Sequence, residues 1–278
     1  MVDDLDTLFQ TLTLRGKTLK NRIFSTGHMA VMLDDGKPAA RMVAYHEAKA
    51  QGGAALTIIE AARVHPSGDS GRPAIRAYDP ACVPSYARLA NACQPHGCLV
   101  FAQLSHPGRE MTLAADGTHP VAYAPSSVPN ERFHVMPREM PAQLIKEIIE
   151  GFAVSATHMR QAGLDGVELV ASHGYLLGQF LNPNINLRSD VYGGSRAGRM
   201  RFLQEAITAA RRGAGEDMIL GVRLSGEEKD HDGTELGEML EVCAALDADP
   251  ALDYLNVTAG TSAGLAGSTH IVPPMAYE

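Results

Sequence analysis

Short continuous apolar runs alternate along this chain with longer stretches of helical spacing. The runs at 22–25, 54–59, 98–103, 166–170, 218–224 and 254–257 have the length of strands buried on both faces. Between them the clearest helix is predicted over 141–161, with Pro141 in its first turn and Leu144, Ile148, Phe152, Ala156 and Met159 forming one apolar face. A second helix is predicted over 197–212, with Ser195 as its N-cap. No helix is expected to begin before Asn182-Pro183 has turned the chain, because the residue before a proline is pushed out of the helical region. Residues 8–22 alternate apolar and polar around Arg15-Gly16-Lys17, as a hairpin would. The stretch 107–140 holds five prolines and little periodicity, which predicts a long excursion after the third strand that serves as a lid. Strand and helix repeating in turn predict an α/β fold with a parallel sheet.

Length and composition narrow the reading. The chain has 278 residues, 45% hydrophobic and 20% charged, enough for a full core, and no low-complexity linker divides it. A formal charge of -8 without a basic stripe argues against partners among nucleic acids or anionic membranes. The first ten residues carry acids where a signal peptide needs a positive region, and no apolar run reaches membrane length, so a cytoplasmic protein is expected. Cys82, Cys93, Cys98 and Cys243 lack close pairing and are read as reduced thiols with no metal site.

Polarity changes abruptly at the strand ends, where α/β folds place ligands. Ser172, His173, Gly174 and Tyr175 follow the fourth run, and Gln103 ends the third. A buried side-chain amide must find partners that both donate and accept. Arg223, flanked by Val222 and Leu224, points to the opposite face from both. Inside a barrel its guanidinium needs an anionic or dipolar partner, either a ligand or a carboxylate such as Glu60. The glycine-rich segment before His270 is not followed by the lysine of a phosphate loop.

The run HGYLLGQFLNPNINLRSDVYGGSRAGRMRF resembles the segment after strand four of the old yellow enzyme family of FMN oxidoreductases. LKNRIFSTGHM, IIEAARVHPSG, FAQLSHPGRE and ILGVRLSG fall in that family's order and at its spacing. The resemblance implies a (β/α)8 TIM barrel as a single FMN-binding domain over 1–278. Six strands are predicted where eight are needed, so the barrel is expected to be truncated after strand six. Either the sequence is a fragment or a partner chain completes it. A longer parent protein would bring the FMN phosphate cradle, and in some members an iron-sulfur cluster and a site for NAD(P)H or FAD. Homo-oligomerisation is left open.

Residue by residue, the resemblance implies that Thr26, Gly27, His28 and Met29 pass beneath the flavin. Gly27-His28-Met29 stands where many members have Pro-Met-Cys, so a redox-tuning cysteine is absent, and for His28 a hydrogen-bonded structural histidine is the alternative. Ala61 would let the flavin approach the backbone, Gln103 would meet its pyrimidine, and Arg223 would lie near N1 and C2=O. Ene-reductases of the family hold a substrate carbonyl with two donors, and here that pair reads Val170 and His173. Tyr175 takes the place of the tyrosine that serves as proton donor in the dienoyl-CoA reductase branch, and a tyrosine packed under the loop is the alternative. His270 is expected to face the same cavity and complete a catalytic cluster with His173 and Tyr175. STGHMAVMLDDGKP and NVTAGTSAGLAG resemble the N-methylproline demethylase group, implying oxidative N-demethylation of a small methylated amine or betaine. NAD(P)H-dependent reduction of an enone or dienoyl-CoA is the second expectation, and a non-catalytic barrel fragment the third.

Overall fold

A computed structural model describes residues 5–271 except Ser70 and Ala115. Six parallel strands form one curved sheet: β1 (Phe24–Ser25), β2 (Leu56–Arg63), β3 (Leu99–Ser105), β4 (Gly166–Ala171), β5 (Ile219–Glu227) and β6 (Tyr254–Ala259). They neighbour one another in chain order, and a two-residue strand, Ile75–Arg76, extends the sheet beside the end of β2. Helices α1 (Ala40–Gln51), α2 (Val83–Cys93), α3 (Ala142–Gln161), α4 (Arg196–Ala214) and α5 (Leu236–Asp247) return the chain between strands. This is the strand order of a (β/α)8 barrel through its sixth strand. Among the described residues β1 and β6 are not paired with each other.

The strands alternate their side chains between the helices and the interior. Outward residues such as Val100, Ala102, Val167, Leu169, Leu220 and Val222 join the apolar faces of the helices in the main core. The inward set is layered. At the bottom Leu19, Leu56, Ile58, Phe101 and Ile219 pack together. The rings of Phe101 and Tyr254 fill this space, with centroids 6.1 Å apart. That filling explains two strand glycines, because a Cβ on Gly166 would lie 2.7 Å from the Phe101 ring and one on Gly221 2.2 Å from the Tyr254 ring.

The predicted hairpin is present as Leu12–Leu14 paired with Lys17–Leu19, and it closes the bottom of the sheet. Arg15 binds Asp253 at 2.8 Å and Lys17 binds Asp165 at 3.0 Å. Both acids precede strands, and their other oxygens accept from Leu220 N and Val100 N. The hairpin is shorter than expected, since Leu5–Phe9 is a helix.

Three further expectations need correction. Strands β2 to β6 run one to four residues past the predicted carboxyl ends, because the polar residues there pair within the sheet: Arg63 with Ser105 and Thr258 with Ser225. A short helix, Leu176–Leu181, does form before Asn182-Pro183, and all six of its residues are buried. Packing pays for it, and the proline only fixes where it ends. Thirdly, the 107–140 excursion is partly ordered by its own small core of Met111, Ala122 and Val135 and by the parallel pair Tyr123–Ala124 and Arg138–Glu139.

Candidate active site

The carboxyl ends of the strands surround a cavity of about 340 Å³. Thr26, Gly27, His28 and Met29, in the segment after β1, line one side. Ala61, Gln103 and Arg223 come from β2, β3 and β5, while Val170, His173 and Tyr175 come from the end of β4 and the loop after it. Nine of the ten predicted site residues thus meet in one cavity. His270 does not. It is exposed beyond the short helix Leu265–Ser268, and Ile271 and Ser262 line the cavity from that segment.

Local geometry explains each placement. Between Ile59 and Ala62, β2 gains one residue against β3, and this bulge delivers Ala61 to the interior. Gly27 abuts the Gln103 amide so closely that a Cβ there would lie 2.5 Å from it. His173 sits at φ 60°, a left-handed conformation that costs energy for a residue other than glycine. Neighbouring strand ends hold it there: His173 N donates to Ser225 Oγ at 3.0 Å, and His173 O accepts from Ser262 N at 3.0 Å. Tyr175 is the N-cap of Leu176–Leu181, and Gln179 from that helix donates to Gly174 O.

Under the cavity floor lies a polar layer that sequence reasoning missed. Glu168 is fully buried on the inward face of β4. It accepts from Gln103 Nε2 at 2.6 Å, Tyr254 OH at 3.0 Å and Asn256 Nδ2 at 2.9 Å. Burial, and next Glu168 itself, push the Tyr254 phenol well above its ordinary range. A lone acid in the apolar run GVELV was the available signal. Arg223 donates from Nη1 to Gly27 O at 3.0 Å, while its buried Nε has no partner. Glu60 does not pair with it, since one Glu60 oxygen accepts from both Ala30 N and Val31 N. His173 Nδ1 is likewise buried without a partner, and burial with the Arg223 charge lowers the imidazole pKa to about 4. His173 is therefore neutral at pH 7. His28 does bond a neighbour, with Nε2 2.7 Å from Tyr45 OH, yet it also lines the cavity.

The 107–140 excursion is fastened to the cavity rim by buried Glu110. Ser262 Oγ lies 2.9 Å from Glu110 Oε2 and 2.8 Å from His173 O, and Asn130 Nδ2 donates to Glu110 Oε1. One hydroxyl hydrogen cannot serve two acceptors at once. A protonated Glu110 resolves this by donating to Ser262, which then donates to His173 O. Burial raises this carboxyl from 4.5 to about 8, in keeping with that arrangement. The folded state then holds a proton that the unfolded chain releases, so this stabilisation is full below about pH 4.5 and is lost as pH rises to about 8. Thermal melts should accordingly show wild type losing stability between pH 6 and 8.5 relative to Glu110→Gln, whose amide mimics the protonated acid. Parallel pH profiles for the two proteins would remove Glu110 from this role.

Residues 7–263 match the NADH:flavin oxidoreductase / NADH oxidase family. The chain is 36% identical over 256 residues to a multifunctional alkene reductase/demethylase OYE of Caballeronia cordobensis, covering 92% of this chain and 37% of that protein. It is 34% identical over 269 residues to a probable N-methylproline demethylase of Rhizobium meliloti, covering 96% and 39%. The chain thus spans about two fifths of the length of these curated relatives. Among solved structures, a 2-naphthoyl-CoA reductase complex superposes with TM-score 0.85 at 26% identity, over 93% of this chain and 41% of the other. Matched along nearly its whole length, with six strands in barrel order and the cavity at their carboxyl ends, the chain belongs to the NADH:flavin oxidoreductase / NADH oxidase family, the old yellow enzyme family.

Proposed function

We propose that this cavity holds FMN and that the enzyme removes N-methyl groups oxidatively from a small methylated amine or betaine. The residues fit the flavin ring. Arg223 Nε and His173 Nδ1 are buried polar atoms without partners on two residues that line the cavity, and Ala61 brings only a methyl group to its wall. Gln103, fixed by Glu168, would present its amide to the pyrimidine, and Arg223 would face the edge that gains negative charge on reduction. FMN bound there would supply a hydride acceptor or donor.

The observation that carries the choice of reaction is Val170. It lines the cavity beside His173, so a substrate carbonyl would find one side-chain donor where the two-donor clamp of an ene-reductase has a pair. Losing one such donor typically costs about two to three orders of magnitude in rate. An N-methyl group, by contrast, suits an apolar wall. After oxidation, water adds to the substrate iminium and formaldehyde leaves. Tyr175 lines the same cavity, where its phenol could exchange a proton with the substrate.

Val170→His should lower formaldehyde release from N-methylproline at least about tenfold while enone reduction appears or increases, because the added imidazole supplies a second donor and spoils the methyl pocket. Steady-state assays of both reactions decide the matter. Strong enone turnover by the unaltered protein without formaldehyde from any methylated amine would favour the second reading, NAD(P)H-dependent reduction of an enone or dienoyl thioester. A purified protein without flavin absorbance, unable to take up added FMN, would leave only a non-catalytic barrel.

A further inference from the structure

Arg63 ends β2 two residues beyond Ala61 and so faces the same interior side; Ala61 and Tyr175 both line the cavity, and the Arg63 charge opposes the rise that burial gives the Tyr175 phenol. Only 6% of Arg63 is exposed. Nη1 donates to Ser105 Oγ at 3.1 Å, while Nε is buried without a partner. No carboxylate lies within 4 Å of this guanidinium among the described residues. Asp69, the acid that acts on it from farther away, is engaged by Tyr78 OH at 2.6 Å and by Arg76 at 3.5 Å. Burial accordingly lowers the Arg63 pKa. A buried arginine of this kind is under-used, with five N–H groups arranged as a fork that matches a carboxylate.

We propose that Arg63 anchors a substrate carboxylate beside Tyr175, so that the site takes N-methylated amino acids in preference to simple methylated amines. The choice of amine rests on the demethylase reading, whereas the carboxylate anchor stands on Arg63 itself. A carboxylate bound there is withdrawn from water along with its partner, which strengthens the pair. Arg132 adds a second positive charge at the rim, where its Nη1 donates to Ser262 O at 3.1 Å. N-methylproline, the compound in the name of one relative, carries such a carboxylate on the carbon next to its nitrogen.

Calorimetric titration of the FMN-loaded protein with L-proline and with pyrrolidine, which lacks the carboxylate, tests this. L-proline should bind at least about tenfold more tightly, and acetate should compete with L-proline but not with pyrrolidine. Arg63→Gln should erase the preference while leaving pyrrolidine binding unchanged, and Arg63→Lys should keep part of it. Equal binding of the two probes to the unaltered protein, no binding of either, or a preference that survives Arg63→Gln would each overturn the proposal. If Arg63→Gln does not fold, the decision passes to the unaltered protein, where rising salt should weaken L-proline and spare pyrrolidine. A salt-independent preference would overturn it as well. Formaldehyde release is measured separately. A carboxylate preference without formaldehyde keeps the anchor and removes the demethylase, and formaldehyde without the preference does the reverse.

Discussion

Arg223→Met should weaken FMN binding by about ten- to hundredfold, the worth of hydrogen bonds to a charged group. The same change should lower the potential of whatever flavin remains, because the negative ring formed on reduction loses its cation. The expectation follows from how little else Arg223 does. It gives one hydrogen bond to Gly27 O, keeps its buried Nε unpartnered and makes no ion pair among the described residues. Arg223→Lys should restore only part of the affinity, since an ammonium lacks the fork. Fluorescence titration with FMN and a spectroelectrochemical potential read the two effects. A Met variant with unaltered affinity and potential would mean that Arg223 does not touch the cofactor.

Glu168→Leu should be the most destabilising single change in the barrel interior. Leucine approximates the volume but strands three donors, on Gln103, Tyr254 and Asn256. Each buried donor left unsatisfied costs about 1–3 kcal/mol, so a loss of at least about 3 kcal/mol is expected. For a chain of this size that corresponds to a drop of roughly 6–12 °C in Tm. Glu168→Gln keeps one acceptor oxygen and should fall between the two. Flavin affinity should decline with stability, because Gln103 loses the partner that orients it. A Leu variant that melts with the wild type would show that the three donors find other acceptors at no cost.

How much of this was legible in the sequence depended on the kind of signal. Strand positions were readable because most strands are short, largely apolar runs, but their carboxyl ends were not. Arg63, Ser105 and Thr258 look like loop residues until the neighbouring strand is known to pair with them. The helix Leu176–Leu181 was hidden for a related reason, since six residues carry too little helical period and their stability comes from complete burial. Gln103 and Arg223 stood out as polar residues inside apolar runs. Glu168 belonged to the same class and was passed over because its three partners lie on two other strands, far along the chain. His270 was misplaced because a glycine-rich turn sets direction through backbone angles that spacing does not encode, with Gly260 at φ 79°.

Among the described residues the sheet is open, and this makes the two walls of the cavity unequal in time as well as in chemistry. β3 and β4 each have hydrogen-bonded neighbours on both sides, so the amides beneath Gln103 and Glu168 should exchange with solvent only when much of the domain opens. Thr26 to Met29 hang from β1, whose ladder is two residues long and whose Phe24 is 45% exposed. Ser262 follows β6, the other edge, where Val257 is 61% exposed. These flanks can open locally while the centre stays closed. A ligand spanning the cavity would bridge slow and fast regions, and its binding would be felt most as slowed exchange along the segments that follow β1 and β6.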